Sequence, residues 1–289
     1  MRGQAKKRAG WGRATLCALG IAIIPTAACA AADAALPARI VSLAPSVTET
    51  LFAMGAGARV VGISDFCDYP PAVVDLPRIG SFVSPSVEAV LALEPDVVIG
   101  NQSPGNLRAV ETLRRAGVRV VIVRPTRLAD VPTTTRQIAA AAGTPEAGER
   151  LVARMDREMA AVRARLADVP RRRVLMVVGR TPLVAVGPGS FLGDLVAEAR
   201  ADNVVSSGGA WPRLSVEFVI AADPEVIIDS GMGTEEGASG DFWDRLDSVA
   251  AVRAGRVHPF LSYRVLRQGP RLPAAFADLA RVIHPERWP

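Results

Sequence analysis

Residues 86–100 read SVEAVLALEPDVVIG, and residues 215–229 read SVEFVIAADPEVIID. Eight of these fifteen positions are identical, and four more exchange similar residues. In each copy a serine suited to an N-cap precedes a first helical turn with a glutamate, and a proline ends the helix. The β-branched residues that follow predict a buried strand. Both copies therefore predict one helix–strand unit, with helices at 86–93 and 215–221 and strands at 97–100 and 226–228.

The similarity extends outward from both copies. Residues 48–64 resemble residues 191–207, and residues 39–43 resemble residues 173–177. A repeat of about 130 residues is too long for a solenoid unit and indicates two similar lobes. Two lobes of this kind predict a cleft between them.

Residues 1–30 have the features of an export signal. Five basic residues precede a short apolar run at 16–24, and Ala28-Cys29-Ala30 suits a cleavage site. The apolar run is too short to span a membrane. We expect cleavage after Ala30, or alternatively after Ala32. Cys29 raises the alternative of a lipid anchor, although Thr26 stands where that motif has an aliphatic residue.

Removal of this segment changes the charge balance of the chain. Five of the 34 basic residues and none of the 29 acidic residues lie in residues 1–30, which leaves 29 of each sign. A balanced charge does not favour nucleic acid as a partner. Both lysines lie in the same segment, which excludes a Walker A loop and Schiff-base chemistry in the mature chain. Cys67 is then the only cysteine, so we expect no intrachain disulfide.

Short strands alternate with helices on both sides of one long helical segment. We predict an N-terminal lobe over 38–143 and a C-terminal lobe over 173–289, each with a parallel sheet and helical crossovers. Residues 144–169 predict a helix that Thr144 caps and Pro145 begins, with apolar residues at 151, 155, 159, 162 and 166. This helix could pack on one lobe alone, but we favour a spine between the lobes. The predicted fold class is α/β, with two similar Rossmann-like lobes, parallel central sheets and one long rigid helix that joins them.

The other predicted elements follow from the apolar periodicity. In the first lobe they are strands at 40–43, 60–63 and 119–123 and helices at 48–54, 107–116 and 131–142. In the second lobe they are strands at 174–178, 203–205 and 257–260 and helices at 191–198, 242–246 and 272–282.

The sequence offers little for catalysis or for metal binding. It has two histidines, His258 on a strand predicted to be buried and His284 near the C-terminus, and it lacks HExxH, CxxC and GxSxG motifs. Cys67 without a nearby histidine is a poor pattern for a nucleophile. We therefore predict a protein that is not an enzyme and has no metal site or cofactor of its own.

Aromatic residues in loops are the candidates for a binding site. The loop at 65–83 is long and rich in proline, and long loops in compact domains are often functional. Because such loops border the crevice of α/β sheets, these aromatic residues predict a wall for a ligand, with core packing as the alternative. The candidates are Phe66, Tyr69, Phe82, Trp211, Trp243 and Tyr263.

Four motifs together resemble a known family. Residues 39–70, RIVSLAPSVTETLFAMGAGARVVGISDFCDYP, are followed by IGSFVSPSVEAVLALEPDVVIG at 79–100, by AWP at 210–212 and by GPR at 269–271. This combination resembles the class III, or helical-backbone, periplasmic substrate-binding proteins of ABC importers, over residues 38–285. Members of that class bind cobalamin, haem or ferric siderophores, and the resemblance is strongest to those that bind cobalamin (vitamin B12).

The resemblance implies a ligand and a cellular location. It implies a monomeric periplasmic protein that captures cobalamin and delivers it to a permease dimer in the inner membrane, with haem or a ferric siderophore as the alternative ligand. Phe66 matches a cleft tyrosine of the family, and Phe82 and Trp211 match tryptophans that line the cleft. Tyr263 and Arg267 belong to a second-lobe loop that contacts the corrin, although the family's aromatic and acidic pattern is not kept there.

The resemblance also implies a role for the duplicated glutamates. Glu88 and Glu217 match the two glutamates at the tips of the lobes, which dock onto arginines of the permease dimer. Stabilisation of the helix N-terminus is the alternative role for these carboxylates. That alternative explains acidic residues at both positions but not the repeated SVE triplet.

Overall fold

The computed structural model describes residues 36–229, 242–259 and 263–288. The predicted export signal, its cleavage site and the alternative lipid anchor at Cys29 lie outside the described residues. The described part of the chain forms two α/β lobes on either side of one long helix.

The first lobe contains a four-stranded parallel sheet. Its strand order is β2-β1-β3-β4, with Ile40 of β1 opposite Val60 of β2 and Val97 of β3. The predicted strand at 60–63 is confirmed at both ends, and the other elements differ from prediction by one to three residues. The strands are β1 (Ile40–Ser42), β2 (Val60–Ile63), β3 (Val97–Asn101) and β4 (Val120–Val123), and the helices are α1 (Pro45–Ala53), α2 (Val87–Ala92), α3 (Leu107–Arg115) and α4 (Asp130–Ala141).

The second lobe repeats this sheet and adds one strand. Its parallel strands follow the order β7-β5-β8-β9, which matches the order in the first lobe, and β6 pairs antiparallel with β5. β6 is not among the strands predicted from the sequence. The strands are β5 (Arg172–Arg180), β6 (Leu183–Ala185), β7 (Ala201–Asn203), β8 (Val226–Asp229) and β9 (Val257–Pro259), and the helices are α6 (Phe191–Glu198), α7 (Val216–Ala222), α8 (Ala250–Arg253) and α9 (Leu272–Ile283).

The duplicated sequence occupies the same place in both sheets. The first copy forms α2 and β3, and the second forms α7 and β8. β3 lies next to β1, as β8 lies next to β5. Ser86 Oγ accepts a hydrogen bond from Ala89 N–H at 3.1 Å, and Ser215 Oγ accepts one from Phe218 N–H at 3.2 Å. Both predicted N-caps are therefore confirmed.

The long helix between the lobes is α5 (Pro145–Arg165), a rod of 21 residues and thus about 32 Å long. It packs against α4 of the first lobe and α9 of the second. The prediction that Thr144 caps it is wrong, because the threonine side chain makes no capping hydrogen bond and its Oγ1 instead faces the carbonyl of Ala139. The lobe boundaries on either side of α5 remain a prediction.

Alternating strand residues divide the core into one shared part and two separate parts. Ile40 and Ile99 of the first sheet, and Val174 and Met176 of the second, belong to one apolar cluster that includes the buried face of α5. Their neighbours in the strands point to the opposite face, where each lobe has its own smaller cluster. The shared cluster therefore joins both lobes to α5.

His258 departs from its predicted environment. It lies on β9, at the edge of the second sheet, and is half-buried rather than buried. The predicted strand end at Phe260 lies outside the described residues, and the predicted helix at 242–246 adjoins the undescribed residues 230–241.

Candidate functional site

The carboxyl ends of the first sheet open into a cavity. Because its four strands are parallel, the residues that follow them meet at one edge. This cavity has a volume of about 720 Å³, and residues 266–268 line it from the second lobe. Its lining consists of Ala44, Pro45, Ser46, Phe66, Phe82, Asn101, Gln102, Pro104, Arg124, Pro125, Thr126, Leu266, Arg267 and Gln268.

A second cavity of about 450 Å³ adjoins the first. It shares four lining residues with the larger cavity and adds Trp211 and the beginning of α6. The two cavities together are the interlobe cleft, with walls from both lobes. The shared residues are Pro125, Thr126, Leu266 and Gln268.

Three predicted aromatic residues form walls of the interlobe cleft. Phe66 is 54 % exposed and Phe82 is 39 % exposed, and their rings meet edge to face with centroids 5.5 Å apart. Trp211, in the smaller cavity, is 52 % exposed. Large apolar side chains that remain this exposed on a concave surface are typical of a site for a partly apolar ligand.

The other aromatic candidates have different surroundings. Tyr69 does not line either cavity, because its ring lies under the guanidinium of Arg271 at 4.1 Å. Trp243 is buried in the second lobe, where its indole N–H donates to Asp229 Oδ2 at 2.6 Å. The side chain of Tyr263 lies outside the described residues.

A buried carboxylate beside the cleft connects the two lobes. Glu49 of α1, with its side chain 1 % exposed, accepts hydrogen bonds from Arg271 Nε at 2.9 Å and Nη2 at 2.6 Å. Arg267 Nη1 donates to the same carboxylate at 2.8 Å and also to Asp68. The hydrogen bond from Arg267 lowers the pKa of Asp68 below its ordinary value. We call these four residues the Glu49 network.

Arg267, a predicted ligand contact, already has partners in the Glu49 network. Arg267 lines the larger cavity, but its guanidinium already donates to Glu49, to Asp68 and to the carbonyl of Phe66. Glu49 itself was not a candidate in the sequence. The sequence feature that could have identified Glu49 is its place as the single acidic residue, between the apolar Val47 and Leu51, in a helix of otherwise small or apolar residues.

A second ionic connection lies on the loop after β4. Arg127 Nε and Nη2 donate to the two oxygens of Asp194 at 2.8 and 2.6 Å, and Leu128 N–H donates to Oδ2 at 3.0 Å. The hydrogen bond from Arg127 lowers the pKa of Asp194 below its ordinary value. We call this arrangement the Asp194 clasp, because it joins a first-lobe loop to α6 of the second lobe.

Glu88 and Glu217 lie on the surface at equivalent positions. Both are exposed, and each lies in the first turn of its helix, two residues after the capping serine. Ser86 Oγ donates to Glu88 at 3.2 Å. Hydrogen bonds from its own backbone N–H and from Ser215 lower the pKa of Glu217. Neither carboxylate lines the interlobe cleft.

The two histidines and Cys67 are at least partly buried and lie outside the interlobe cleft. His284 is buried, and its Nε2 lies 3.0 Å from the carbonyl oxygen of Ala199. Burial lowers the pKa of both His284 and His258. Cys67 is buried, with its Sγ 3.1 Å from Thr48 Oγ1. Within the described ranges, no three His, Cys, Asp or Glu side chains come together as a metal site, and no helix is long and apolar enough to cross a bilayer.

The sequence matches the profile of one protein family over most of its length. Residues 40–258 match the family described as periplasmic binding protein. A vitamin B12-binding protein of Salmonella typhimurium strain LT2 is 28 % identical over 246 residues, which are 85 % of this chain and 90 % of the relative.

Solved structures share the architecture described above. A periplasmic haem-binding protein from Roseiflexus sp. RS-1, solved in its apo form, superposes with a TM-score of 0.78 at 31 % identity and covers 86 % of this chain and 98 % of its own. A periplasmic vitamin B12-binding protein of Vibrio cholerae superposes with a TM-score of 0.75 at 22 % identity and covers 88 % of this chain and 99 % of its own. At that lower identity the second similarity concerns the fold alone.

Proposed function

Because the chain belongs to the periplasmic binding protein family, a family of solute-binding proteins and not of enzymes, we propose that it captures cobalamin in the interlobe cleft. In this proposal the protein is exported to the periplasm, acts as a monomer and delivers the ligand to the permease dimer of an ABC importer. The main support for this proposal is the cleft itself, where Phe66, Phe82 and Trp211 remain exposed on walls from both lobes.

The chemistry of the cleft lining supports cobalamin as the ligand. The lining presents aromatic, aliphatic, amide, hydroxyl and guanidinium groups. Cobalamin carries the axial ligands of its cobalt with it, so such a lining can bind it through stacking and hydrogen bonds alone. The similarity to a vitamin B12-binding protein over 85 % of this chain supports the same assignment.

Haem or a ferric siderophore is the second candidate ligand. The similarity to a haem-binding protein at 31 % identity favours haem. Titration calorimetry of the purified protein with cyanocobalamin, haemin and ferrichrome separates the candidates. We expect saturable binding of cyanocobalamin and no competition from the other two. Tight haemin binding without cobalamin binding would select the second candidate, and no binding of any of the three would remove both.

We propose that Phe66, Phe82 and Trp211 stack against the ligand and that Arg267 adds a polar contact, with Tyr69 and Tyr263 at the margin of the site. Substitution of Trp211 or Phe66 by alanine should weaken cobalamin binding by roughly 5- to 150-fold, the loss of about 1–3 kcal/mol expected for a buried aromatic anchor. Phe218→Ala is the matched control, because this exposed phenylalanine lies on α7 and lines neither cavity. Unchanged affinity in both cleft variants would mean that these residues only pack within their lobes.

We also propose that Glu88 and Glu217 dock the protein on its permease. Their equivalent positions on two related lobes suit a partner with twofold symmetry, with one carboxylate for each permease subunit. Either alanine substitution should weaken docking, and the double substitution should abolish transport while cobalamin affinity stays unchanged. Glu146→Ala is the control, because Glu146 is also exposed in a first helical turn. A double variant that loses ligand binding but still docks would reverse the proposed roles.

A further inference from the structure

Arg124 is a cation of the interlobe cleft without a counter-charge among the residues that the structure describes. It follows the last residue of β4, lines the larger cavity and is exposed. Among the described residues no hydrogen bond or ion pair involves its side chain. The other arginine of this lining, Arg267, is already paired with Glu49 and Asp68. No carboxylate lines either cavity in the part of the chain that the structure describes.

The backbone around Arg124 is held in place by its neighbours. Gln102 N–H donates to the carbonyl of Val123 at 2.9 Å, which fixes the end of β4. Pro125 follows directly and restricts its own φ angle. Asp130 then accepts hydrogen bonds from the backbone N–H groups of Thr126 at 2.9 Å and of Arg127 at 2.8 Å. Arg124 is therefore presented to the cleft from an ordered loop end.

Two carboxylates that contact the loop after Arg124 already accept hydrogen bonds from other donors. Asp130 accepts from Thr126 and Arg127, and its pKa is lowered, first by the Arg127 N–H. Asp194 accepts from the Arg127 guanidinium and the Leu128 N–H in the Asp194 clasp. The first turn of α1 adds to the positive potential, because no side chain caps this helix, and its N-cap Ala44 and first residues Pro45 and Ser46 line the same cavity. The charge of Arg124 thus remains available to a ligand.

We propose that Arg124 binds a peripheral oxyanion of the ligand, either a phosphate or a carboxylate, and so selects chelates that carry one. This inference rests on the proposed function and adds the polar half of the recognition. A guanidinium matches both oxyanions with two parallel N–H donors, and the pairing strengthens when the ligand excludes water from the cleft. In cobalamin the group is the phosphodiester of the nucleotide loop, and in haem it is a propionate.

The test compares probes that differ in this anion. Cyanocobalamin carries the phosphodiester, and dicyanocobinamide has the same corrin ring without the nucleotide loop. Arg124→Gln should weaken cyanocobalamin binding by roughly 10- to 100-fold, the range of a charge-assisted hydrogen bond, and leave cobinamide binding unchanged. Arg124→Lys, which keeps the charge without the planar fork, should give an intermediate loss. If the parent binds haemin instead, haemin and its dimethyl ester form the equivalent pair.

Arg119→Gln is the matched control. Arg119 is an exposed arginine at the opposite end of β4, outside both cavities, and its substitution should change neither affinity. If Arg124→Gln binds each probe as tightly as the parent does, the role of Arg124 is overturned while the proposed function stands. A parent protein that binds neither corrinoid nor haemin would overturn the proposed function, and this inference with it.

Discussion

Glu49 places a carboxylate in the interior, where its side chain is only 1 % exposed. A buried charge is costly unless it is paired, and the structure offsets this cost with three hydrogen bonds from Arg267 and Arg271. The arrangement also holds Arg267 beside Phe66, on the wall of the interlobe cleft. One residue of the first lobe therefore orders two residues of the second.

Glu49→Ala should destabilise the protein by about 3–5 kcal/mol, because it leaves two arginines without their buried partner. The free energy of unfolding, measured by urea denaturation, tests this. Glu149→Ala is the control, since Glu149 pairs with Arg136 on the surface, where the ion pair is exposed on both sides and contributes little. A loss for Glu49→Ala as small as that of the control would show that the Glu49 network is not needed for stability.

The sequence revealed the aromatic residues of the site more readily than the charged ones. Phe66 and Phe82 lie in a long proline-rich loop, a local pattern that indicates function. The hydrogen-bond partners of Glu49 are 218 and 222 residues away along the chain. No local pattern connects positions that far apart, so the Glu49 network could be found only in the folded structure.

The residues at the starts of the helices differ in how much they contribute to stability as caps. Ser86→Ala should cost about 1 kcal/mol of unfolding free energy, because its Oγ accepts the Ala89 N–H at 3.1 Å. Thr144→Ala, at the start of α5, should change the same quantity by less than about 0.5 kcal/mol, since Thr144 makes no capping hydrogen bond. Thermal or urea unfolding of both variants gives the comparison, and equal losses would contradict it.

Element prediction succeeded where a pattern was long or repeated. The helix Phe191–Glu198 and the strand Val60–Ile63 have their predicted bounds, and the duplicated copies identified α2, β3, α7 and β8. The strand β6 was missed because it forms by turning back on β5, whereas the other three-residue strands, β1, β7 and β9, belong to the alternation of strands and helices. A strand that short has no periodicity of its own, and its pairing with β5 is what defines it.

Three features join the two lobes, namely α5, the Glu49 network and the Asp194 clasp. The clasp predicts a dependence of stability on pH. Because the folded pKa of Asp194 is lowered, its contribution is present above the unfolded pKa of about 3.9 and is lost as the pH falls through the folded value. Asp194→Asn should therefore be less stable than the parent near neutral pH, and the difference should shrink below about pH 4.

Urea denaturation between neutral and strongly acidic pH measures this difference. Arg127→Gln removes the principal donor to Asp194 and should show the same convergence with the parent in acid. A difference that stays constant down to the lowest pH at which the protein folds would mean that the Arg127–Asp194 contact does not shift the carboxyl pKa.

The Glu49 network also limits how the two lobes can diverge in evolution. A change at Glu49 alone removes the buried partner of two arginines, and a change at Arg267 or Arg271 alone removes donors from a carboxylate that water does not reach. Intermediate sequences with one of the three replaced therefore pass through a destabilised protein. Positions 49, 267 and 271 should be inherited as a set, so that drift in one lobe is tied to drift in the other across the whole length of the chain.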